Sequence, residues 1–300
     1  MTRRWRALLG VAAVALLALG AWGARDRVVS EWRTWARKGQ LQWEAPDGWR
    51  VVAWEDERRR SWSGHQGFLH GLPYAELEPG LELAELRIRR TPNPQVVPHW
   101  VLRVDPELWR FRVLAQEDFA LLPVDAHAGT LPVAFNASFY SETGPLGLVV
   151  QDGRERGRQN SVWAAHFLVD PAAPPRIVNQ KNAGTSGVLQ GVQGFPAVMQ
   201  DGRTYAYMRN GDRGFPVHEV ARRTGICLDD AGRVVVLVTA SRTNGLTLDE
   251  LATMQGGLGC RDAMGLDGGS STALWIQVPG QSISVKSRDG VPVAIGLESR

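Results

Sequence analysis

The stretch Thr224-Gly225-Ile226-Cys227-Leu228-Asp229-Asp230-Ala231-Gly232-Arg233-Val234-Val235-Val236-Leu237-Val238-Thr239 decides how this chain reads. Two apolar runs rich in β-branched residues flank a cluster of turn residues, a pattern of strand, tight connection and strand. The texture continues from Leu72 to the C-terminus as short apolar runs broken by Gly, Pro, Asp and Asn. Further strands are predicted at 100–104, 131–135, 147–150, 164–169, 204–208, 263–266 and 272–278, several of them followed by turns such as Asp152-Gly153 and Asp201-Gly202. One helix is predicted, from Leu248 to about Leu258. Thr247 caps it, Glu250 reaches back to the cap, and Leu248, Leu251, Ala252 and Leu258 supply an apolar face that Gly256 and Gly257 weaken at the end. Many strands with few helices give an α+β domain on a large, mostly antiparallel or mixed sheet.

The 300 residues are 44 % hydrophobic and 22 % charged, with 33 Gly and 17 Pro, which excludes a disordered, collagen-like or coiled-coil chain. The formal charge of +3 comes wholly from Arg3, Arg4 and Arg6, so the chain from Arg25 onward is neutral. A neutral body does not suit a nucleic-acid binder, which needs a basic surface to displace counterions. The three arginines precede an uncharged Ala, Leu and Val run at residues 7–24, and Arg25-Asp26-Arg27 ends it. That is an export signal, read either as a cleaved peptide, with small residues around Gly23, or as a retained inner-membrane anchor. No cysteine lies near it, which excludes an acylated lipoprotein. The mature protein is then periplasmic or extracellular. Residues 25–71 form a Trp-rich segment containing Trp32, Trp35, Trp43, Trp49, Trp54 and Trp62, and residues 72–300 the main domain. The tryptophans are expected to pack onto that domain. Trp32 and Trp35 would share one helix face within Ser30 to Lys38, where a membrane surface is the other reading.

Chemistry concentrates in Met264-Gly265-Leu266-Asp267-Gly268-Gly269-Ser270-Ser271-Thr272. A strand stops at a carboxylate, two glycines permit unusual backbone, and hydroxyls follow, so the turn can aim N–H and O–H groups at an anion beside Asp267. The same spacing also suits a hairpin without function. In Ala134-Phe135-Asn136-Ala137-Ser138-Phe139-Tyr140 an amide side chain leaves an apolar strand. Arg222-Arg223-Thr224 opens another strand and Arg242 follows a third; an arginine suits a planar, two-point grip on phosphate. The chain has no G-x-S-x-G elbow, Walker loop, G-x-G-x-x-G, H-E-x-x-H or paired C-x-x-C. His65, His70, His99, His127, His166 and His218 show no ligand spacing, so neither a metal nor a cofactor is expected; His127 and His218 are the two that would join a site. Cys227 and Cys260 form a disulfide or stay as buried thiols.

Taken in order, these pieces resemble the phosphodiester glycosidase family from about Leu72 onward. The resemblance rests on an N-G-G-F-F-like segment at Asn136 to Tyr140 and the run Pro145 to Gly153. It continues with a strand start at Arg223-Thr224-Gly225-Ile226, the run Gly245 to Leu251 leading through Leu258-Gly259-Cys260, and an L-D-G-G-G-S-like turn at Leu266. Ala137 and Ser138 stand where the family pattern has Gly, Ser270 where a third Gly is usual, and Gly265 where an Asn often precedes the Leu. The resemblance implies hydrolysis of a sugar-1-phosphodiester, of which N-acetylglucosamine is the sugar best associated with the family. Carried over by position, it implies Asn136, Arg223 and Asp267 as catalytic residues, with Gly268, Gly269, Ser270, Ser271 and Arg242 binding substrate. Glycoside chemistry commonly uses a second carboxylate, for which Glu142, Asp152, Asp212 and Asp229 are candidates.

The expected function is therefore an exported hydrolase acting on a glycosyl phosphodiester of envelope or extracellular polysaccharide. The alternative is a catalytically silent polysaccharide-binding protein, and a third reading is a phosphodiesterase indifferent to sugar. The partners are the substrate and, if residues 7–24 are retained, the membrane.

Overall fold

The computed structural model describes residues 41–52, 69, 71–91, 93–163, 165–179, 183–204, 219–241 and 244–300. The export signal, Trp32, Trp35, Trp54, Trp62, His65, His70, Asp212, His218 and Arg242 lie outside the described residues.

In chain order the first strands are β1 (Leu41–Ala45), β2 (Gly48–Val51), β3 (Ala75–Glu78), β4 (Leu81–Arg90), β5 (Asn93–Val104) and β6 (Trp109–Leu114). The short helix α1 (Val124–Ala128) follows, then β7 (Val133–Asn136), β8 (Tyr140–Ser141), β9 (Gly144–Pro145), β10 (Val149–Gln151) and β11 (Arg154–Gly157). Next come β12 (Ala165–Val169), β13 (Arg176–Val178), β14 (Gln190–Gly194), β15 (Ala197–Gln200), β16 (Arg203–Thr204), β17 (Thr224–Asp229) and β18 (Val234–Thr239). Helix α2 (Leu248–Gly257) precedes β19 (Cys260–Gly265), β20 (Leu274–Val278), β21 (Gln281–Val285) and β22 (Ala294–Ser299).

Ten strands make one sheet in the order β16-β15-β19-β17-β18-β5-β4-β1-β2, with β3 added beside β4. Two five-stranded sheets, β11-β10-β14-β12-β13 and β21-β20-β7-β22-β6, pack against it. Every strand pair among the described residues is antiparallel. With two short helices among the described residues, the expected α+β label holds only loosely; antiparallel sheet dominates them.

β18 shows how sequence sorts these layers. All six of its residues are buried. Alternate side chains point to opposite faces, so Val234, Val236 and Val238 enter the core shared with the smaller sheets. Val235 and Leu237 enter a second core on the other face, beneath Leu248, Leu251, Ala252 and Met254 of α2. That is why the strand lacks polar alternation: both of its faces are covered. Helix α2 has the expected capping box, the Thr247 side chain accepting from Glu250 N (3.1 Å) and Glu250 Oε2 accepting from Thr247 N (2.7 Å). The second core also takes in β1 from the Trp-rich stretch, since β1 pairs with β4 and Trp43 is 3 % exposed. Cys227 of β17 and Cys260 of β19 are joined as a disulfide across neighbouring strands.

Candidate active site

The ends of β7 and β19 and the starts of β17 and β20 converge where the ten-stranded sheet meets the sheet containing β7. The three stretches singled out from sequence meet there. Asn136, fully buried at the end of β7, is the junction. Its Oδ1 accepts from Thr224 Oγ1 (2.7 Å) and from Ala273 N (2.9 Å), while its Nδ2 donates to the backbone carbonyl of Asp267 (2.7 Å). An asparagine at a strand end commonly bonds its own backbone; this one instead bonds three distant segments.

Beyond β19, Leu266 N donates to Thr224 O (2.9 Å) and Asp267 N to Ala137 O (3.0 Å), so the carboxylate leaves a backbone fixed on both sides. Gly268 N donates to Asp267 Oδ1 at 2.8 Å. Gly269 lies at φ +61°, in the left-handed region where glycine is favoured, and its N–H donates to Arg222 O (2.8 Å). The buried Ser271 hydroxyl also bonds the Asp267 carboxyl. Burial pushes the pKa of Asp267 up to about 6, against the lowering effects of Ser271, the Gly268 N–H and the Arg223 charge. The group thus titrates close to neutrality, where a proton acceptor works best.

The two arginines are both buried and do different work. Arg222 donates to the carbonyls of Gly269 (Nε, 2.9 Å), Lys286 (Nη1, 2.9 Å) and Ser270 (Nη2, 3.0 Å), holding the turn from behind. Arg223 donates from Nε to Leu246 O (3.0 Å) and from Nη2 to Glu219 O (2.7 Å). Its Nη1 has no hydrogen-bond partner among the described residues and lies 3.7 Å from where a Cβ on Gly268 would stand. Desolvation lowers the Arg223 pKa from its ordinary value, with Glu219, Glu250 and Asp267 acting in the other direction. A methyl at Gly268 would also come within 2.9 Å of Arg222 O and 3.6 Å of Arg223 Cδ, so the absence of a side chain there lets the arginine pair pack closely against the turn. Neither Arg222 as the clamp nor Thr224 as the partner of Asn136 was expected from sequence; the signal was the unbroken Arg222-Arg223-Thr224 triplet.

The pattern of the phosphodiester glycosidase family matches residues 129–298, more than half of the chain. The chain belongs to that family. The fold is similar to that of the zebrafish N-acetylglucosamine-1-phosphodiester α-N-acetylglucosaminidase catalytic domain auto-inhibited by its pro-peptide, with a TM-score of 0.62 and 16 % identity over 81 % of this chain and 94 % of that one. It is also similar to a hypothetical protein from Synechocystis, with a TM-score of 0.59 and 15 % identity over 76 % of this chain. Here the match spans only 64 % of the Synechocystis chain. No curated protein matches the sequence.

The departures from the phosphodiester glycosidase pattern are accommodated locally. Ala137 and Ser138, buried beside Asp267, are absent from the positive-φ positions, as is Ser270, so no glycine is required at any of the three. Gly265 is the opposite case: a Cβ there would lie 2.9 Å from Phe195 O and 3.0 Å from Pro196 Cδ, so the Phe195-Pro196 segment occupies the space of a side chain. Ser270 is exposed, and its carbonyl accepts from Arg222 and from Arg288 N (2.8 Å).

Of the other carboxylates considered, Asp229 sits at the far end of β17 from Thr224, about 17 Å away by strand rise, and is engaged with Arg233. Asp152 bonds Gln190 and lines a cavity of about 420 Å³ whose lining does not include Asp267. Glu142 is exposed in the connection between β8 and β9. His127 is buried in α1 with Nε2 on Val291 O (2.8 Å), and desolvation lowers its pKa.

Proposed function

We propose that this protein hydrolyses the bond between the anomeric carbon of a sugar and a phosphodiester, releasing sugar and leaving a phosphomonoester. The observation that carries the reading is a half-buried Asp267 carboxyl, its pKa raised to about 6, on a turn that Arg223 approaches with an Nη1 lacking a hydrogen-bond partner among the described residues. Arg223 Nη1 would hold a phosphate oxygen and offset the charge that develops as the C–O bond breaks. Asp267, ionised above pH 6, would oppose the positive charge at the anomeric carbon and take the proton of the attacking water. Water oxygen then bonds the anomeric carbon, and the phosphate leaves with the electron pair of the broken bond. A phosphate is a good leaving group, which lessens the need for a strong general acid. Asn136 would act as a positioning residue, and Ser271 would set the orientation of the carboxylate. The substrate class we assign is glycosyl phosphodiester in envelope or extracellular polysaccharide, met after export. The arginine-led apolar N-terminus and the Cys227–Cys260 disulfide both suit an oxidising compartment.

The test is hydrolysis of UDP-N-acetylglucosamine and of the methyl phosphodiester of α-N-acetylglucosamine 1-phosphate, with Asp267→Asn as control. Free sugar released by the native protein and absent with the variant is the expected result. Faster cleavage of bis-p-nitrophenyl phosphate, which carries no sugar, would replace this reading with a general phosphodiesterase.

A further inference from the structure

A ring cluster lies beside the Asp267 turn. Trp163 meets Phe139 edge-on at 5.1 Å between ring centroids and Phe195 at 5.8 Å. Each phenylalanine belongs to a segment that touches the turn. Phe139 is two residues beyond Ala137, whose carbonyl accepts from Asp267 N, and the carbonyl of Phe195 lies against Gly265. Phe195 thus meets the turn at Gly265 and Arg223 meets it at Gly268, on either side of Asp267 in the chain.

Trp163 is half-buried and sits on a loop whose Ser161 and Val162 are exposed, Val162 at 68 %. Loops of that composition are ordinarily mobile. This one is pinned by the fully buried Gln193, three of whose four side-chain bonds go to it. Gln193 Oε1 accepts from Asn160 N (2.8 Å) and Leu148 N (3.1 Å), and Nε2 donates to Asn160 O (2.8 Å) and Trp163 O (3.1 Å). A buried amide with every group satisfied is a rigid anchor.

We infer that Trp163, with Phe139 and Phe195, forms the wall against which the sugar ring of the substrate packs, and that Gln193 positions it. This rests on the function proposed above. A pyranose has a face of C–H groups and a polar rim, and a rigid aromatic ring covers the former while leaving the latter to hydrogen bonds. A glycosyl phosphodiester carries sugar face, anomeric carbon and phosphate in one line, the chain order in which the turn presents aromatic cluster, Asp267 and Arg223. The wall thereby fixes which end of the substrate meets which residue.

The test is calorimetric titration of the full chain, native and variant, with inorganic phosphate and with a panel of hexose 1-phosphates that includes N-acetylglucosamine 1-phosphate. The preferred sugar phosphate should bind native protein more tightly than inorganic phosphate does. Trp163→Ala should weaken the sugar phosphate by about tenfold or more and leave inorganic phosphate unchanged, and Trp163→Phe should recover most of the loss. Gln193→Glu, which keeps volume but loses two donated bonds, should reproduce the sugar-specific loss in a protein of native circular dichroism. Equal weakening of both ligands, unchanged sugar affinity in Trp163→Ala, or no preference for any sugar phosphate over inorganic phosphate would overturn the inference. Sugar affinity that depends on Trp163 in a protein that turns nothing over would sustain the wall and remove the hydrolase reading. Turnover with a KM indifferent to Trp163 would do the reverse.

Discussion

Asn136 donates its side-chain amide to the backbone carbonyl of Asp267 at 2.7 Å, across 131 residues of sequence. The same side chain accepts from Thr224 and Ala273, so one buried amide joins two sheets at the point where the carboxylate emerges. Asn136→Ala leaves a hydroxyl, an N–H and a carbonyl unpaired in the interior. We expect a loss of about 2–4 kcal/mol and a melting temperature lower by about 5–10 °C, read by calorimetry, with activity falling in the protein that remains folded.

Asp267 is held protonated to about pH 6, two units above the 3.8 of an ordinary aspartate. Between those values the folded protein keeps a proton that the unfolded chain releases. The contribution of this group to stability is therefore greatest below pH 4, declines as pH rises to about 6, and is level above it, the full cost of ionisation being on the order of 2–3 kcal/mol. Asp267→Asn lacks this slope. Its melting temperature should exceed that of the native protein above pH 6 and draw level near pH 4; a constant difference across that range would contradict the burial of the carboxyl.

The same titration would govern the proposed chemistry. If ionised Asp267 is the working form, kcat/KM should rise through an apparent pKa near 6 and reach a plateau at neutral pH. A fall in rate above pH 6 would make Asp267 a proton donor instead.

Arg223→Lys preserves the charge and removes the fork. A single ammonium cannot bond Leu246 O and Glu219 O and still present a free N–H beside Gly268. The expected outcome is a loss in kcat/KM of about 100-fold with a melting temperature close to native. Arg222→Lys should instead lower stability and activity together, because its three bonds all go to the protein.

The disulfide closes a 33-residue separation that contains β18 and α2. Its reduction, or the Cys227→Ser and Cys260→Ser pair, should lower stability by about 3–4 kcal/mol on the chain-entropy account, measured by urea denaturation with and without reductant.

Much of the fold was legible because local chemistry and tertiary demand agree. The helix at 248–257 carries its own capping box, and the strands at 224–229 and 234–239 carry their own turn. β4 was not singled out, although Leu81, Leu83, Leu86 and Ile88 face inward. Its interleaved Glu82, Glu85, Arg87 and Arg89 read as a charged stretch until the ion pairs Arg103–Glu82 and Arg87–Glu44 to neighbouring strands are seen. The site motifs were legible as residue types. Their division of labour was not: adjacent arginines look alike in sequence, and only the backbone direction at the start of β17 sends Arg222 behind the turn and Arg223 toward its carboxylate.

Arg222 reaches the carbonyls of Gly269, Ser270 and Lys286 with a single side chain, so the shape of the Asp267 loop is imposed from outside it. A peptide of residues 264–272, or the same nine residues grafted into another hairpin, would carry the letters of the motif without its geometry. Transplanting this candidate site therefore means moving three segments, 136–137, 221–224 and 264–272, as one unit, and the smallest portable element is discontinuous in the chain.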